Sequence, residues 1–228
     1  MSARSFLVTG TDTGIGKTHA SVALLHALRA HGLRAVGMKP IASGCDWIDG
    51  RWRNEDALAL QAASDPRPDY GDINPVALPE PTAPTLAAIA AGVTVDIAAL
   101  YAAHARLASS ADVVLVEGAG GWDAPLSDGL EHQDLARQLG GAVVLVVGLK
   151  LGCLSHARLT ARAIEADGCR LVGWIGNRID PDFARADDYV GLLTDALPAS
   201  CLGVLPFVSD GSDLPAMLSL DAGWIATL

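Results

Sequence analysis

Charged and aromatic side chains are scarce in this sequence. Only 18% of its 228 residues are charged and 5% are aromatic, and lysine occurs just at Lys17, Lys39 and Lys150. Basic residues are outnumbered 16 to 26 by acidic ones, which leaves a formal net charge of -10. No electropositive footprint for nucleic acid is therefore expected, and an anionic membrane would repel such a surface. Runs of about 18 or more apolar residues are missing, so no transmembrane span is expected. The N-terminus has no long apolar stretch before its first glycines, and no signal peptide is expected either. Cysteine is limited to Cys45, Cys153, Cys169 and Cys201, without a C-x-x-C pair or metal-ligand spacing to a histidine. Scattered thiols of this kind suit buried positions in a protein of the reducing cytoplasm. There is no internal repeat and no low-complexity tract.

Hydrophobic residues, in contrast, make up 50% of the chain. That proportion suits a compact fold with buried strands, read here as a single domain over residues 1–228. Short apolar runs alternate with helical patterns. Strands are expected at "SFLVTG", "RAVGMKP", "DVVLVEG" (112–118), "AVVLVVG" (142–148), "RLVGWIGN" (170–177) and "SCLGVLPF" (200–207). The nearly continuous β-branched runs fit central strands of a parallel sheet covered on both faces. Helices are expected over "THASVALLHALRAHG" and over 82–91, 95–109, 131–139, 153–167 and 184–196. This order predicts an α/β fold: a doubly wound, mostly parallel sheet flanked by helices. Residues 44–81 break the rhythm with a Pro-rich stretch, which predicts a long loop over a ligand crevice.

The segment "VTGTDTGIGKT" carries the first chemical signal. A phosphate loop G-x-x-x-x-G-K-[ST] needs small residues whose backbone N–H groups converge on phosphate, a lysine for the β/γ-phosphates and a hydroxyl for Mg²⁺. Here Gly14, Ile15, Gly16, Lys17, Thr18 and His19 supply that run, but the first glycine slot holds Thr11, with Gly10 one place earlier. The strand-loop-helix context is the required one, and with it the expected α/β fold is of P-loop NTPase type. Glu117 ends a strand and is followed by Gly118, Ala119, Gly120 and Gly121. An acid at that edge can face a metal or pair with a lysine, and position alone leaves both open. Asp56 follows Asn54, which can cap a helix that begins with acids, and capping is the favoured reading from local sequence. Lys39 and Ser43, in "MKPIASG", lie just past the second strand, where a lysine can stabilise charge on a transferring phosphoryl group.

"VTGTDTGIGKT", "MKPIASG", "RNEDALAL", "VEGAGGW", "VGLKLGCLSHARLTA" and "GWIGN" occur in the order and spacing of the dethiobiotin synthetases, which this chain resembles from Val8 to about Phe207. The resemblance implies an ATP-dependent cyclo-ligase of biotin biosynthesis. Its substrates would be 7,8-diaminononanoate, CO₂ from bicarbonate and MgATP; a carbamate and a carbamic-phosphoric anhydride would lead to dethiobiotin, ADP and phosphate. It further implies that Thr18, Asp56 and Glu117 hold Mg²⁺. Thr13, Lys17, Lys39 and Ser43 would meet the carbamate or diamine, with amides from Gly120 and Gly121. Asn177 and Arg178 would recognise adenine, with Pro206, Phe207 and Val208 flanking the base. The family works as a homodimer, which implies that Ser155 and Tyr189 serve the substrate tail in the partner subunit's site. Ser155 stands where an asparagine is common, Gly14 where some members carry glutamate, and Arg178 at a position that varies. A synthetase acting on a corrinoid would normally carry a further glutaminase domain. A ParA/MinD-like regulatory ATPase would place a signature lysine where this chain has Asp12.

Overall fold

The strands of the main sheet are largely β-branched and leucine residues, and their alternate side chains serve opposite faces of that sheet. The computed structural model describes residues 3–208 and 218–228. In chain order the elements are β1 (Arg4–Gly10), α1 (Lys17–Ala30), β2 (Ala35–Met38), β3 (Ile41–Ala42), β4 (Asp46–Ile48), β5 (Arg51–Arg53), α2 (Glu55–Ala63), α3 (Tyr70–Ile73), β6 (Val76–Ala77), α4 (Pro84–Ala91) and α5 (Ile97–Ser110). There follow β7 (Val113–Glu117), α6 (His132–Gln138), β8 (Ala142–Leu149), α7 (Cys153–Ala166), β9 (Arg170–Arg178), α8 (Ala186–Ala196), β10 (Cys201–Leu205) and α9 (Ala222–Thr227).

Six strands form one sheet in the order β10-β9-β8-β1-β7-β2, and every neighbouring pair is parallel. Phe6 and Val8 of β1 face one core with Leu24, Leu25 and Leu28 of α1. Leu7, between them, faces the other core with Leu100 and Leu107 of α5. The same alternation splits Val113 and Leu115 from Val114 and Val116 in β7. A parallel sheet with both faces covered explains why these strands read as unbroken apolar runs. From β1 the chain moves to β2 at one edge, and after β7 it crosses to β8 on the other side of β1. The carboxyl end of β1 is therefore the topological switch point, where open α/β sheets form their ligand crevice.

The expected strands and helices are present with ends shifted by at most two residues. The long loop expected over 44–81 is not. That segment holds the β4–β5 hairpin, α2, α3 and β6. Helix α2 buries Ala57, Leu60 and Ala63 against α1 and β2. The hairpin turns at Asp49-Gly50, both with positive φ (50° and 78°). Helix α9 also escaped the sequence pattern; its Trp224 stacks edge-on against Phe6 at 6.1 Å and donates to the Val172 carbonyl at 2.9 Å.

Candidate active site

Gly16 ends the phosphate loop and starts α1. Its φ is +80°, and a Cβ there would lie 2.0 Å from the Asn177 side-chain nitrogen. Only glycine fits both the left-handed backbone and this close approach. Lys17 and Thr18 are then the first two residues of α1, with the helix N-terminus adding positive field at the loop. Lys17 is 7% exposed and donates from Nζ to the Asp12 carbonyl at 2.9 Å. Burial drives its ammonium down to about 8, an effect that Glu117 offsets only in part. The Asp12 carboxylate accepts the Thr13 N–H at 2.8 Å, which holds its pKa below the usual range, and pairs with Lys150 at 3.3 Å.

Glu117, the last residue of β7, lies beside Val8 of β1 with a fully buried side chain. Lys39, the first residue past β2, donates to Glu117 Oε1 at 2.9 Å and to Asp56 Oδ2. Thr18 Oγ1 donates to the same Glu117 oxygen at 2.9 Å. Burial opposes the Lys39 charge, but Glu117 and Asp56 outweigh it and hold the ammonium above the ordinary lysine range. Burial likewise works against the Asp56 carboxylate, and Lys39 outweighs that penalty and lowers its pKa. Asn54 caps α2 by accepting the Ala57 N–H at 3.2 Å, and Asp56, in the first turn of that helix, reaches the cleft. The cap sets the direction of the first turn and so of Asp56. For Glu117 the lysine partner is Lys39, itself a candidate catalytic group.

These side chains line one cleft of about 460 Å³. Thr13, Gly14, Gly16, Lys17, Thr18, His19, Lys39, Ser43, Asp56, Glu117, Ala119 and Gly120 of the expected set all reach it, and Glu55 joins them. A smaller recess of about 230 Å³ opens on the other side of Gly14, Gly16 and His19. It is lined by Asn177, Arg178, Ile179, Pro206, Phe207 and Val208. Asn177 Nδ2 donates to the Ile15 carbonyl at 2.8 Å, so its oxygen is presented as an acceptor, and that oxygen has no partner among the described residues. The two spaces share Gly14, Gly16 and His19 of the phosphate loop and α1 as a common wall.

A match to the family model described as an AAA domain covers residues 4–213. The ATP-dependent dethiobiotin synthetase BioD of Xanthomonas euvesicatoria is 58% identical over 93% of this chain and 94% of its own length. Its counterpart in Xylella fastidiosa is 58% identical over 96% of each chain. The chain belongs to the dethiobiotin synthetase family. Among solved structures, a ParA family ATPase from Chlorobium tepidum aligns with a TM-score of 0.55 at 16% identity, over 91% of this chain and 86% of that one. A MinC:MinD cell division complex from Aquifex aeolicus gives 0.54 at 16% identity, over 90% and 81%. At that identity the likeness is one of fold.

Two residues that the dethiobiotin synthetase resemblance singles out lie outside both spaces of this chain. Ser155 is exposed on the first turn of α7, and Tyr189 of α8 stacks edge-on against Phe183 at 4.9 Å. Three others form walls rather than lining. Ile15 is 1% exposed; Gly118 lies over His132, and a Cβ at Gly121 would be 3.5 Å from the Gly10 carbonyl. His132 is a residue that sequence reasoning missed. Its Nδ1 lies 2.8 Å from the Ala124 carbonyl, and since a carbonyl only accepts, Nδ1 carries the proton. A Cβ on Gly118 would come within 2.5 Å of His132 Nε2, so the buried imidazole forms the floor under the "GAGG" turn. Burial drives its pKa down to about 4. Nothing local in "LEHQDL" marks it, because the contact joins Gly118 to a residue more than a dozen positions further along the chain.

Proposed function

We propose that this chain is an ATP-dependent dethiobiotin synthetase that acts on 7,8-diaminononanoate and CO₂. The observation that carries the reading is the meeting of Lys39 with Asp56 and Glu117 on the cleft floor, beside Lys17 and the phosphate loop. One amine of the substrate takes up CO₂ and loses a proton, which gives a carbamate. The carbamate oxygen forms a bond to the γ-phosphorus as the bond to ADP breaks. The second amine attacks the carbonyl carbon of the mixed anhydride, phosphate departs, and the cyclic urea closes with loss of a proton.

The carbamate and the ATP phosphates are both anionic, so charge neutralisation and positioning carry the phosphoryl step. Lys17 and Lys39 bring two cations to the cleft, and neither is free to move far, given their burial and partners. Lys39 is the group that stabilises charge on the transferring phosphoryl. Thr13 and Ser43 offer hydroxyls at the cleft wall, and Gly120 and Gly121 offer amides to the carbamate. The Asn177 oxygen accepts from the exocyclic amine of adenine, with Phe207 beside the base. The donors also fit Mg²⁺: the set is all oxygen, with two carboxylates and a hydroxyl, and the buried Glu117 Oε2 has no partner among the described residues. Thr18, Asp56 and Glu117 would hold the ion, which supplies Lewis-acid neutralisation of the phosphate oxygens.

The exposed first turn of α7, with Ser155, and Tyr189 on α8 are assigned to the substrate tail of a partner subunit in a homodimer. The four free thiols suit a cytoplasmic setting. No helix among the described residues is long and apolar enough to cross a membrane. The test is product analysis after incubation with ATP, Mg²⁺, the diamine and isotopically labelled bicarbonate. Mass spectrometry should find one labelled carbon in dethiobiotin, and its absence would reject the reading.

A further inference from the structure

Behind the cleft floor lies a buried polar chain that touches neither cleft nor recess. Tyr70, on α3, is 5% exposed, and Asn74, just past it, is 4% exposed. The Tyr70 hydroxyl accepts the backbone N–H of Asn54 at 2.7 Å and donates to Asn74 Oδ1 at 3.0 Å. Asn74 Nδ2 donates to the Lys39 carbonyl at 2.8 Å and to the Val76 carbonyl at 3.1 Å. The Lys39 N–H donates to the Ile73 carbonyl at 2.8 Å, so both backbone groups of Lys39 are tied to the α3 segment. Asn54 is the cap of α2, two residues before Asp56. One phenol thus joins the backbone that carries Lys39 to the backbone that carries Asp56, whose side chains meet on the far side.

We infer that Tyr70 and Asn74 are positioning residues that set the Lys39–Asp56 spacing from behind, and with it the fit of the cleft floor to a divalent cation and nucleotide. The inference rests on the metal and phosphoryl roles proposed above for those two side chains. Deleting the hydroxyl leaves a buried N–H and a buried amide oxygen short of partners, and such orphaned groups drive local rearrangement. That rearrangement falls at the two ends of the bridge, Asn54 and Asn74, rather than in the phosphate loop. Nucleotide binding without metal, which relies on the loop, is spared. The added affinity that Mg²⁺ confers, which relies on Asp56, is reduced.

The experiment is calorimetric titration of ADP with and without Mg²⁺ for wild type, Tyr70→Phe, Asn74→Ala and Arg53→Ala. Phe keeps the ring and its packing, so a folded variant is expected, and near-UV circular dichroism checks this. Tyr70→Phe and Asn74→Ala should bind metal-free ADP as wild type does, while the Mg²⁺-dependent tightening shrinks by about tenfold, the scale of one buried hydrogen bond. Tyr70→Phe combined with Asn74→Ala in one chain, titrated in the same way, should do no worse than the poorer single variant, because the two act in series. Arg53, whose guanidinium lies 4.9 Å over the Tyr70 ring, supplies the control. Its alanine variant removes the cation and keeps the hydroxyl, so wild-type tightening should persist. Unchanged tightening in both Tyr70→Phe and Asn74→Ala, or equal loss in Arg53→Ala, would overturn the inference. A parallel turnover assay on wild type with the diamine separates the two readings: no diamine-dependent turnover counts against the synthetase, and the calorimetry still decides the positioning.

Discussion

Replacing Lys39 with alanine should destabilise the metal-free protein and cripple turnover for one physical reason. Its side chain is 8% exposed and meets Glu117, whose side chain is fully buried, and Asp56, which is 33% exposed. Breaking a buried ion pair from one side costs about 3–5 kcal/mol, because the partner stays behind as an uncompensated charge. Two features place this case at the low end. Glu117 keeps the Thr18 hydroxyl as a donor, and Asp56 can recover water. A loss of about 3 kcal/mol is therefore expected without metal. For a chain of this length that is a fall of roughly 6–12 °C in melting temperature, at about 2–4 °C per kcal/mol. Mg²⁺ with ADP should raise the melting temperature of the variant more than that of wild type, because the cation supplies the missing charge. Turnover should fall by about 10²–10³-fold, the cost of one transition-state donor, while ATP still binds through Lys17 and the loop. Differential scanning fluorimetry and phosphate release measure the two effects. A variant as stable as wild type refutes Lys39 as the counter-charge of Glu117, and normal turnover refutes its role at the phosphoryl group.

Lys17→Met should behave in the opposite way towards stability. Burial takes the Lys17 ammonium from 10.5 to about 8, so the folded state bears a strained charge at neutral pH. By linkage, that charge opposes folding by on the order of 3 kcal/mol. The methionine variant should melt at a higher temperature and lose ATP binding by calorimetry; a lower melting temperature contradicts the desolvation argument. For His132 the folded pKa is about 4 against an ordinary value of 6.5. The unfolded chain therefore binds the extra proton first, and stability drops as pH falls from about 6.5 to 4, by on the order of 3 kcal/mol. In His132→Phe that slope should vanish from urea midpoints measured across the range, and a slope equal to wild type's would exclude His132 as its source.

Much of this was legible because the sheet is parallel and doubly covered. "DVVLVEG" and "AVVLVVG" can be little else than central strands, and the loop after "SFLVTG" announces a phosphate site at their edge. The 44–81 segment was harder. Helix α2, "EDALALQAA", is apolar on more than one side because it lies under α1 and against β2, so it shows no clean stripe. The β4–β5 hairpin did carry a signal, the Asp49-Gly50 turn between tryptophan-bearing strands, and Pro-rich neighbours masked it. Within the site, the phosphate loop followed from local pattern, and so did the place of Glu117 at a strand end, although position alone left its partner open. Asp56 did not, since its cleft position depends on a cap at Asn54 and on Lys39 arriving from another strand. Tyr70, Asn74 and His132 act only through tertiary contacts, which no window of sequence displays.

The account stands most directly on one coupled assay. Purified protein with MgATP is supplied with bicarbonate and 7,8-diaminononanoate together, with each alone, and with neither, and phosphate release is followed. Phosphate should appear only with the full mixture, because the acceptor for the γ-phosphoryl group is a carbamate that needs both. Equal release without the diamine would contradict the assignment of the Lys17–Lys39 cleft to this synthetase reaction.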